Sequence, residues 1–222
     1  MILSARAFLF DFDGTLVNSA PLHDWAFRIV LATAAPAMLA QFDYELIKGL
    51  TTRSSFVRLG IEDAGTLDWC VAAKQRLYRE AVAAGHLKAF PGARQMLEAV
   101  AARGAESFVV SSGSAESVRR GLALCGLCDY FVGVITAEDA PAGKPAPAPY
   151  LACLARFGLD CSSSIAVEDA AAGVRSAHAA GMRVIGMHNP AIASIADTYF
   201  ADFHAMNLAL DGNTNAMLLA LV

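Results

Sequence analysis

The chain of 222 residues carries 17 Lys and Arg against 21 Asp and Glu, and this formal charge of −4 argues against a nucleic-acid partner, which asks for a basic face. With 56% hydrophobic and 17% charged residues, it is apolar enough to bury a core rather than remain disordered. The uncharged run from Ile29 to Gln41 falls short of the roughly 20 apolar residues of a membrane span and is interrupted by Pro36, so no membrane partner is expected.

In chain order, the first element is the apolar run Ala7 to Phe10, a strand ending at Asp11. Because that run stops at an acid and reaches no small-residue cleavage site, no secretory leader is expected, and the expected compartment is the cytoplasm. The interval from about Leu16 to Leu87 has helical periodicity, with helices expected over Pro21 to Ala34, Arg53 to Leu59 and Thr66 to Ala84 and breaks at Thr51, Thr52 and Gly60. It is too long for a simple crossover and is read as a second, all-helical domain inserted after the first strand.

Beyond it, the runs Phe108 to Val110, Val132 to Ile135, Ile165 to Val167 and Val184 to Met187 read as further buried strands. Helices are expected between them over Gly92 to Arg103, Ala115 to Cys125, Pro147 to Phe157 and Gly173 to Ala180. Nearly unalternated strands alternating with helices predict an α/β fold, a parallel Rossmann-like sheet covered on both faces.

Cysteine and histidine usage offers no separate chemistry. The five cysteines, Cys70, Cys125, Cys128, Cys153 and Cys161, are an odd number in a chain large enough to need no disulfides, so free thiols are expected. Cys125-Gly126-Leu127-Cys128 lacks a second ligand pair and reads as small apolar fillers at a helix end. The histidines show no zinc-protease spacing.

In an open parallel sheet, ligands bind beyond the carboxyl ends of the strands. The first strand delivers Asp11-Phe12-Asp13-Gly14-Thr15 to that edge, the second Ser111-Ser112-Gly113-Ser114, and the fourth Glu168-Asp169. Each alone could be an ordinary turn or helix cap. Together, the carboxylates of Asp11, Asp13, Glu168 and Asp169 would repel one another without a cation, and hard oxygen ligands select Mg²⁺. Lys144, in Gly143-Lys144-Pro145-Ala146-Pro147, can add a second positive charge.

With these motifs in this order, the chain resembles the haloacid dehalogenase-like superfamily of aspartyl-phosphate enzymes over nearly its whole length. The motifs are Asp-Phe-Asp-Gly-Thr-Leu at 11–16, Ser111 after a strand, Gly-Lys-Pro-Ala-Pro at 143–147 and Val-Glu-Asp-Ala-Ala-Ala-Gly-Val at 167–174. The helical insertion is similar to the cap of the subfamily of phosphoglycolate phosphatases, small sugar phosphatases and β-phosphoglucomutase. The resemblance implies a core of residues 1–15 and 88–222 and a cap of residues 16–87.

It also implies that Asp11 is the nucleophile forming an aspartyl-phosphate, and that Asp13 protonates the leaving alcohol and then deprotonates the hydrolytic water. Mg²⁺ would bind the carboxylates of Asp11 and Asp169 and the backbone carbonyl of Asp13, with Glu168 acting through a water. Ser111, the Ser112 and Gly113 amides, and Lys144 would hold the phosphoryl oxygens. Two positions depart from the family pattern: Ala148 stands where many relatives have an acid, and Ala170 where many have a serine. Retention of Asp13 points away from the dehalogenase and phosphonate-cleaving branches, because an alcohol leaving group needs the acid.

In the cap, His23 occupies the position of a hinge histidine of β-phosphoglucomutase, although packing is the simpler role for a helical histidine. Lys74 followed by Tyr78 resembles the same cap. Arg53 is shifted by one from the mutase's cap arginine, and Arg53 and Lys74 are expected as clamps on the organic part of a substrate. The loop after Ser111 lacks the mutase's basic and amide side chains. The expected function is therefore a Mg²⁺-dependent phosphatase of a small phosphorylated metabolite, a sugar phosphate or phosphoglycolate. The alternatives are a β-phosphoglucomutase-like mutase and a non-catalytic module that binds a phosphorylated ligand.

Overall fold

The computed structural model describes residues 5–210; residues 1–4 and 211–222, at the two ends of the expected core, lie outside the described residues. One all-parallel sheet contains β1 (Ala7–Phe10), β2 (Glu106–Val110), β3 (Gly133–Ile135), β4 (Ser164–Glu168), β5 (Arg183–Met187) and β6 (Thr198–Phe200), in the spatial order β3-β2-β1-β4-β5-β6. The order of strands reverses at β1, which lies between β2 and β4, and such a switch point opens a crevice beyond the strand ends.

Alternate residues of each strand face opposite sides of the sheet. Phe8, Phe10, Val109, Ile165 and Ile185 pack on one face with α5 (Ala93–Ala102), α6 (Ala115–Leu124) and α9 (Phe203–Leu210). Leu9, Phe108, Val110, Ala166 and Val184 pack on the other with α7 (Ala148–Phe157) and α8 (Ala171–Ala179). Because both faces are covered, the strands need no polar alternation, which is why their sequences are continuous apolar runs. Each buried phenylalanine here contributes about 1.5–3 kcal/mol from removal of its ring from water.

The chain between β1 and α5 forms α1 (Ala20–Ala34), the short α2 (Pro36–Leu39), α3 (Thr52–Arg58) and α4 (Ala64–Ala83). Thr51 caps α3 by accepting from the Ser54 amide at 3.2 Å, and Asp63 caps α4 by accepting from Thr66 at 2.8 Å. These helices bury their own cluster of Phe27, Leu31, Phe42, Phe56 and Cys70. Tyr78 and Val82, farther along α4, join the sheet's cluster instead, so α4 ties the helical segment to the sheet.

Two features differ from the sequence reading. β6 was not expected: it has only three residues, and a 3₁₀ turn at Pro190–Ile192 replaces the helix that alternation would demand before it. Cys125 ends α6 and packs half-buried against the core, as a filler at a helix end should, whereas Cys128 is exposed on a 3₁₀ turn; all five cysteines are free. The remaining expected helices form within a few residues of their anticipated ends. No helix among the described residues is long and apolar enough to cross a membrane.

Candidate active site

The register brings the chemistry together. Phe10 pairs with Val109 on one side and Val167 on the other, so the next residues along β1, β2 and β4 emerge side by side at the carboxyl edge. Asp11 is 5% exposed there, and its amide donates to the Val167 carbonyl at 2.9 Å. Lys144 reaches the same place from its loop: Nζ donates to Asp11 Oδ1 at 2.6 Å, Glu168 Oε1 at 2.6 Å and the Val110 carbonyl at 2.8 Å. The Tyr150 hydroxyl donates to Glu168 Oε1 at 2.6 Å.

These groups are deeply buried, and their ionisation reflects it. Burial pushes the Asp11 carboxyl up, with Lys144 opposing. For Lys144, burial acts downward but the charges of Asp11 and Glu168 prevail, so the ammonium is held above its ordinary value. Burial pushes Glu168 up to about 8 and Asp169 up to about 7, despite the stabilising charges of Lys144 and Lys48 respectively.

The carboxylates of Asp11, Glu168 and Asp169 can each offer an oxygen within 4.8 Å of the others, a grouping fit for a metal ion. Three buried acids so close require positive charge, and Glu168 Oε2 is buried without a hydrogen-bond partner. An all-carboxylate oxygen set suits a hard divalent cation. Two glycines make room for these acids. A Cβ on Gly14, at φ 90°, would stand 2.1 Å from Asp169 Oδ2, and one on Gly173 would stand 2.0 Å from the Glu168 carboxyl carbon.

The side chain of Asp13 lies outside this triad. Its Oδ1 accepts from Tyr78 at 2.9 Å and faces His23 Nε2 at 3.0 Å, while Lys74 Nζ lies 2.6 Å from His23 Nδ1. An ammonium can only donate, so Lys74 assigns Nδ1 the acceptor role and leaves the ring proton on Nε2, pointed at Asp13. Burial and the Lys74 charge hold the imidazolium form of His23 down. Burial alone would raise the Asp13 carboxyl, but His23 and Tyr78 outweigh it and keep Asp13 below the ordinary carboxylate range. His23 also stacks on Tyr78 with ring centroids 4.2 Å apart, so it both packs and hydrogen-bonds, where packing alone was the simpler expectation.

Ser111 is 2% exposed, and its Oγ accepts from the Gly113 amide at 3.0 Å. Ser112 Oγ donates to the Gly49 carbonyl at 2.9 Å and links the sheet edge to the helical segment. A cavity of ≈ 50 Å³ is enclosed between Asp11, Asp13, Ser111 and Gly113 on one side and Tyr44 and Lys74 on the other. An adjoining cleft of ≈ 290 Å³ runs from Asp13 past Gln75 and Arg53 toward Glu138.

The two residues expected to clamp substrate are both engaged elsewhere. The ammonium of Lys74 is committed to His23, and the guanidinium of Arg53 pairs with Asp68 on α4. Several neighbours of the motifs escaped the sequence reading. Lys48 crosses from the helical segment to lie 2.8 Å from Asp169 Oδ2, and Tyr150 secures Glu168. Thr15 Oγ1 donates to Asp169 Oδ1 at 3.3 Å, and Asn189 Nδ2 to the Asp169 carbonyl at 3.1 Å. Only Lys48 leaves a trace in sequence, as a lone charge in the run Leu46-Ile47-Lys48-Gly49-Leu50.

This sheet, with a buried acid, a lysine and an acidic pair at its switch point, has counterparts among known hydrolases. The family model described as haloacid dehalogenase-like hydrolase matches residues 8–187, and the chain belongs to that family. It is 34% identical over 196 residues to hexitol phosphatase A of Escherichia coli, covering 85% of this chain and 86% of the relative. It is 32% identical over 198 residues to a phosphoglycolate phosphatase of Rhodospirillum rubrum, covering 82% and 79% of the two chains. The solved structure of a β-phosphoglucomutase from Clostridium difficile shares the fold with a TM-score of 0.79 at 19% identity, covering 95% of this chain and 99% of that one. The protein is an enzyme of the phosphoric monoester hydrolase class.

Proposed function

We propose that the protein is a cytoplasmic, Mg²⁺-dependent phosphatase that hydrolyses a small phosphorylated metabolite, a sugar phosphate or phosphoglycolate, through an aspartyl-phosphate on Asp11. The observation that carries this reading is the meeting of Lys144 with Asp11 at 2.6 Å, beside the Ser111–Gly113 turn and two residues from a second acid with its own proton-handling partners. Asp11, Glu168 and Asp169 would hold the metal, which when bound offsets the phosphoryl and carboxylate charge.

In the first step an Asp11 carboxylate oxygen attacks phosphorus and the bond from phosphorus to the substrate's alkoxy oxygen breaks. Asp13, which its partners keep ionised in the free protein, would take up a proton as the phosphate ester binds and then give it to the departing oxygen. In the second step water attacks the aspartyl-phosphate, Asp13 takes the water's proton, and the bond from phosphorus to Asp11 breaks. Asp13 Oδ1 is occupied by Tyr78 and His23, whereas Oδ2 faces the Ser111–Gly113 turn, 3.4 Å from where a Cβ on Gly113 would lie. Oδ2 is therefore the oxygen that carries the proton. Lys144, Ser111 and the amides of Ser112 and Gly113 would stabilise the charge on the transferring group. The ≈ 50 Å³ cavity suits the phosphoryl group, and the alcohol would extend into the wider cleft.

A mutase is the second reading, favoured by the His23, Lys74 and Tyr78 constellation around Asp13. The test is phosphate release, with and without Mg²⁺, from glucose 1- and 6-phosphates, other sugar phosphates and phosphoglycolate, with Asp11→Asn as the blank. Metal-dependent release in equal amounts with the free alcohol supports the phosphatase. Interconversion of glucose phosphates without release supports the mutase, and ligand-induced thermal stabilisation without any reaction supports a binding module.

A further inference from the structure

The wider cleft carries a charge pattern that bears on the leaving group, and the inference drawn from it rests on the phosphatase reading. Besides His23 and Tyr78, four ionisable side chains line it: Asp13 and Glu138 from the sheet side, Arg53 and Lys74 from the helical segment. Neither cation is free. Lys74 is 4% exposed, with its ammonium on His23, and burial pushes it down to about 8. Arg53 is turned onto Asp68, a residue one turn into α4 that does not line the cleft.

The anion at the far wall is fixed in place. Glu138 Oε2 accepts from the Ala115 amide at 3.0 Å, so its carboxylate stands on the N-terminus of α6 beside the cleft. Among the described residues, Thr52 and Gln75 also line the cleft and offer uncharged hydrogen-bonding groups. A ligand entering this space would meet neutral donors and acceptors, an arginine paired with an acid outside the cleft, and a carboxylate whose partner is the amide at the start of α6. A carboxylate or second phosphate on the leaving group would lose its hydration and find only cations already paired with other groups, beside the like charge of Glu138.

We propose that Asp68, by holding Arg53, and Glu138, by its own charge, set this enzyme for phosphate esters of uncharged polyhydroxy alcohols and against those whose leaving group is itself anionic. Asp68 is a positioning residue that acts through Arg53. Releasing Arg53 supplies the missing cation, so the selectivity is a property of the pair and not of cleft volume.

The test compares kcat/KM for sorbitol 6-phosphate, phosphoglycolate and fructose 1,6-bisphosphate, each divided by the value for p-nitrophenyl phosphate, in the full-length Mg²⁺-loaded enzyme. Wild type is expected to favour sorbitol 6-phosphate at least tenfold over both anionic substrates. Asp68→Asn should raise the two anionic ratios about three- to fivefold, the scale of one partly screened charge pair, and Asp68→Glu should restore the wild-type ratios. Glu138→Gln should move them in the same direction as Asp68→Asn, with unchanged circular dichroism. Equal use of phosphoglycolate or the bisphosphate by wild type, or ratios unmoved by Asp68→Asn, overturns the inference while p-nitrophenyl phosphate turnover preserves the phosphatase reading. Absence of all turnover, p-nitrophenyl phosphate included, overturns both.

Discussion

At the sheet edge, Asp11, Lys144 and Glu168 are 5%, 2% and 0% exposed and are joined by contacts of 2.6 Å, whereas the Arg53 and Asp68 side chains beside the leaving-group cleft are 54% and 67% exposed. The first arrangement is a buried charge network in which removal of one member strands the others. The second is an exposed pair, screened by solvent and adjustable at little cost to folding. The buried acids and lysine thus sit in the part of the molecule that tolerates least change, and the Arg53–Asp68 pair in the part that tolerates most.

This contrast breaks most visibly at Lys144. Lys144→Met removes the cation between two buried acids, and we expect a loss of about 3 kcal/mol in urea unfolding together with near-complete loss of phosphate release. A variant of wild-type stability would mean that the acids are satisfied without it. Asp13→Asn keeps volume and burial but removes the transferable proton, and kcat/KM for a sugar phosphate should fall about 10²- to 10⁴-fold. The fall should be smaller for p-nitrophenyl phosphate, whose leaving group needs no proton; equal losses on both would count against the acid role.

A moderate effect is expected at Lys48, whose ammonium lies 2.8 Å from Asp169 Oδ2, close to where a divalent cation would bind. Lys48→Met should tighten Mg²⁺ binding, measured by calorimetry without substrate, by roughly three- to tenfold. Weaker binding would show that the lysine assists the site rather than competing with the ion.

The smallest expected effect is a pH slope. With Asp169 pushed up to about 7 and Glu168 to about 8, both above unfolded carboxyl values, the folded metal-free protein retains protons that the unfolded chain has already lost. Its stability therefore falls as pH rises from 7 to 8, and the gain in Tm on adding Mg²⁺ should grow over the same interval. A gain that shrinks with pH would contradict this assignment.

The sheet edge was readable in the sequence because buried parallel strands announce themselves as apolar runs and the residue after each run is fixed at the carboxyl end. Asp11, Ser111 and Glu168 follow from that rule, and the family follows from their motifs. What was not readable depends on distant parts of the chain meeting. Nothing local tells Arg53 that Asp68 stands 15 residues on across a helix contact, or Lys74 that His23 lies 51 residues back. Tyr150 looks like any aromatic on the apolar side of α7 until its hydroxyl is found on Glu168. β6 escaped because three residues give too short a pattern to register.

Gly14 and Gly173 contribute no functional group, yet each lies where a single methyl would collide with a carboxylate of the buried acidic cluster. In a saturation screen scored by activity, both positions should be as intolerant as Asp11 itself. A map of functional importance drawn from such a screen would extend beyond the reacting atoms, to places where the essential property is empty space.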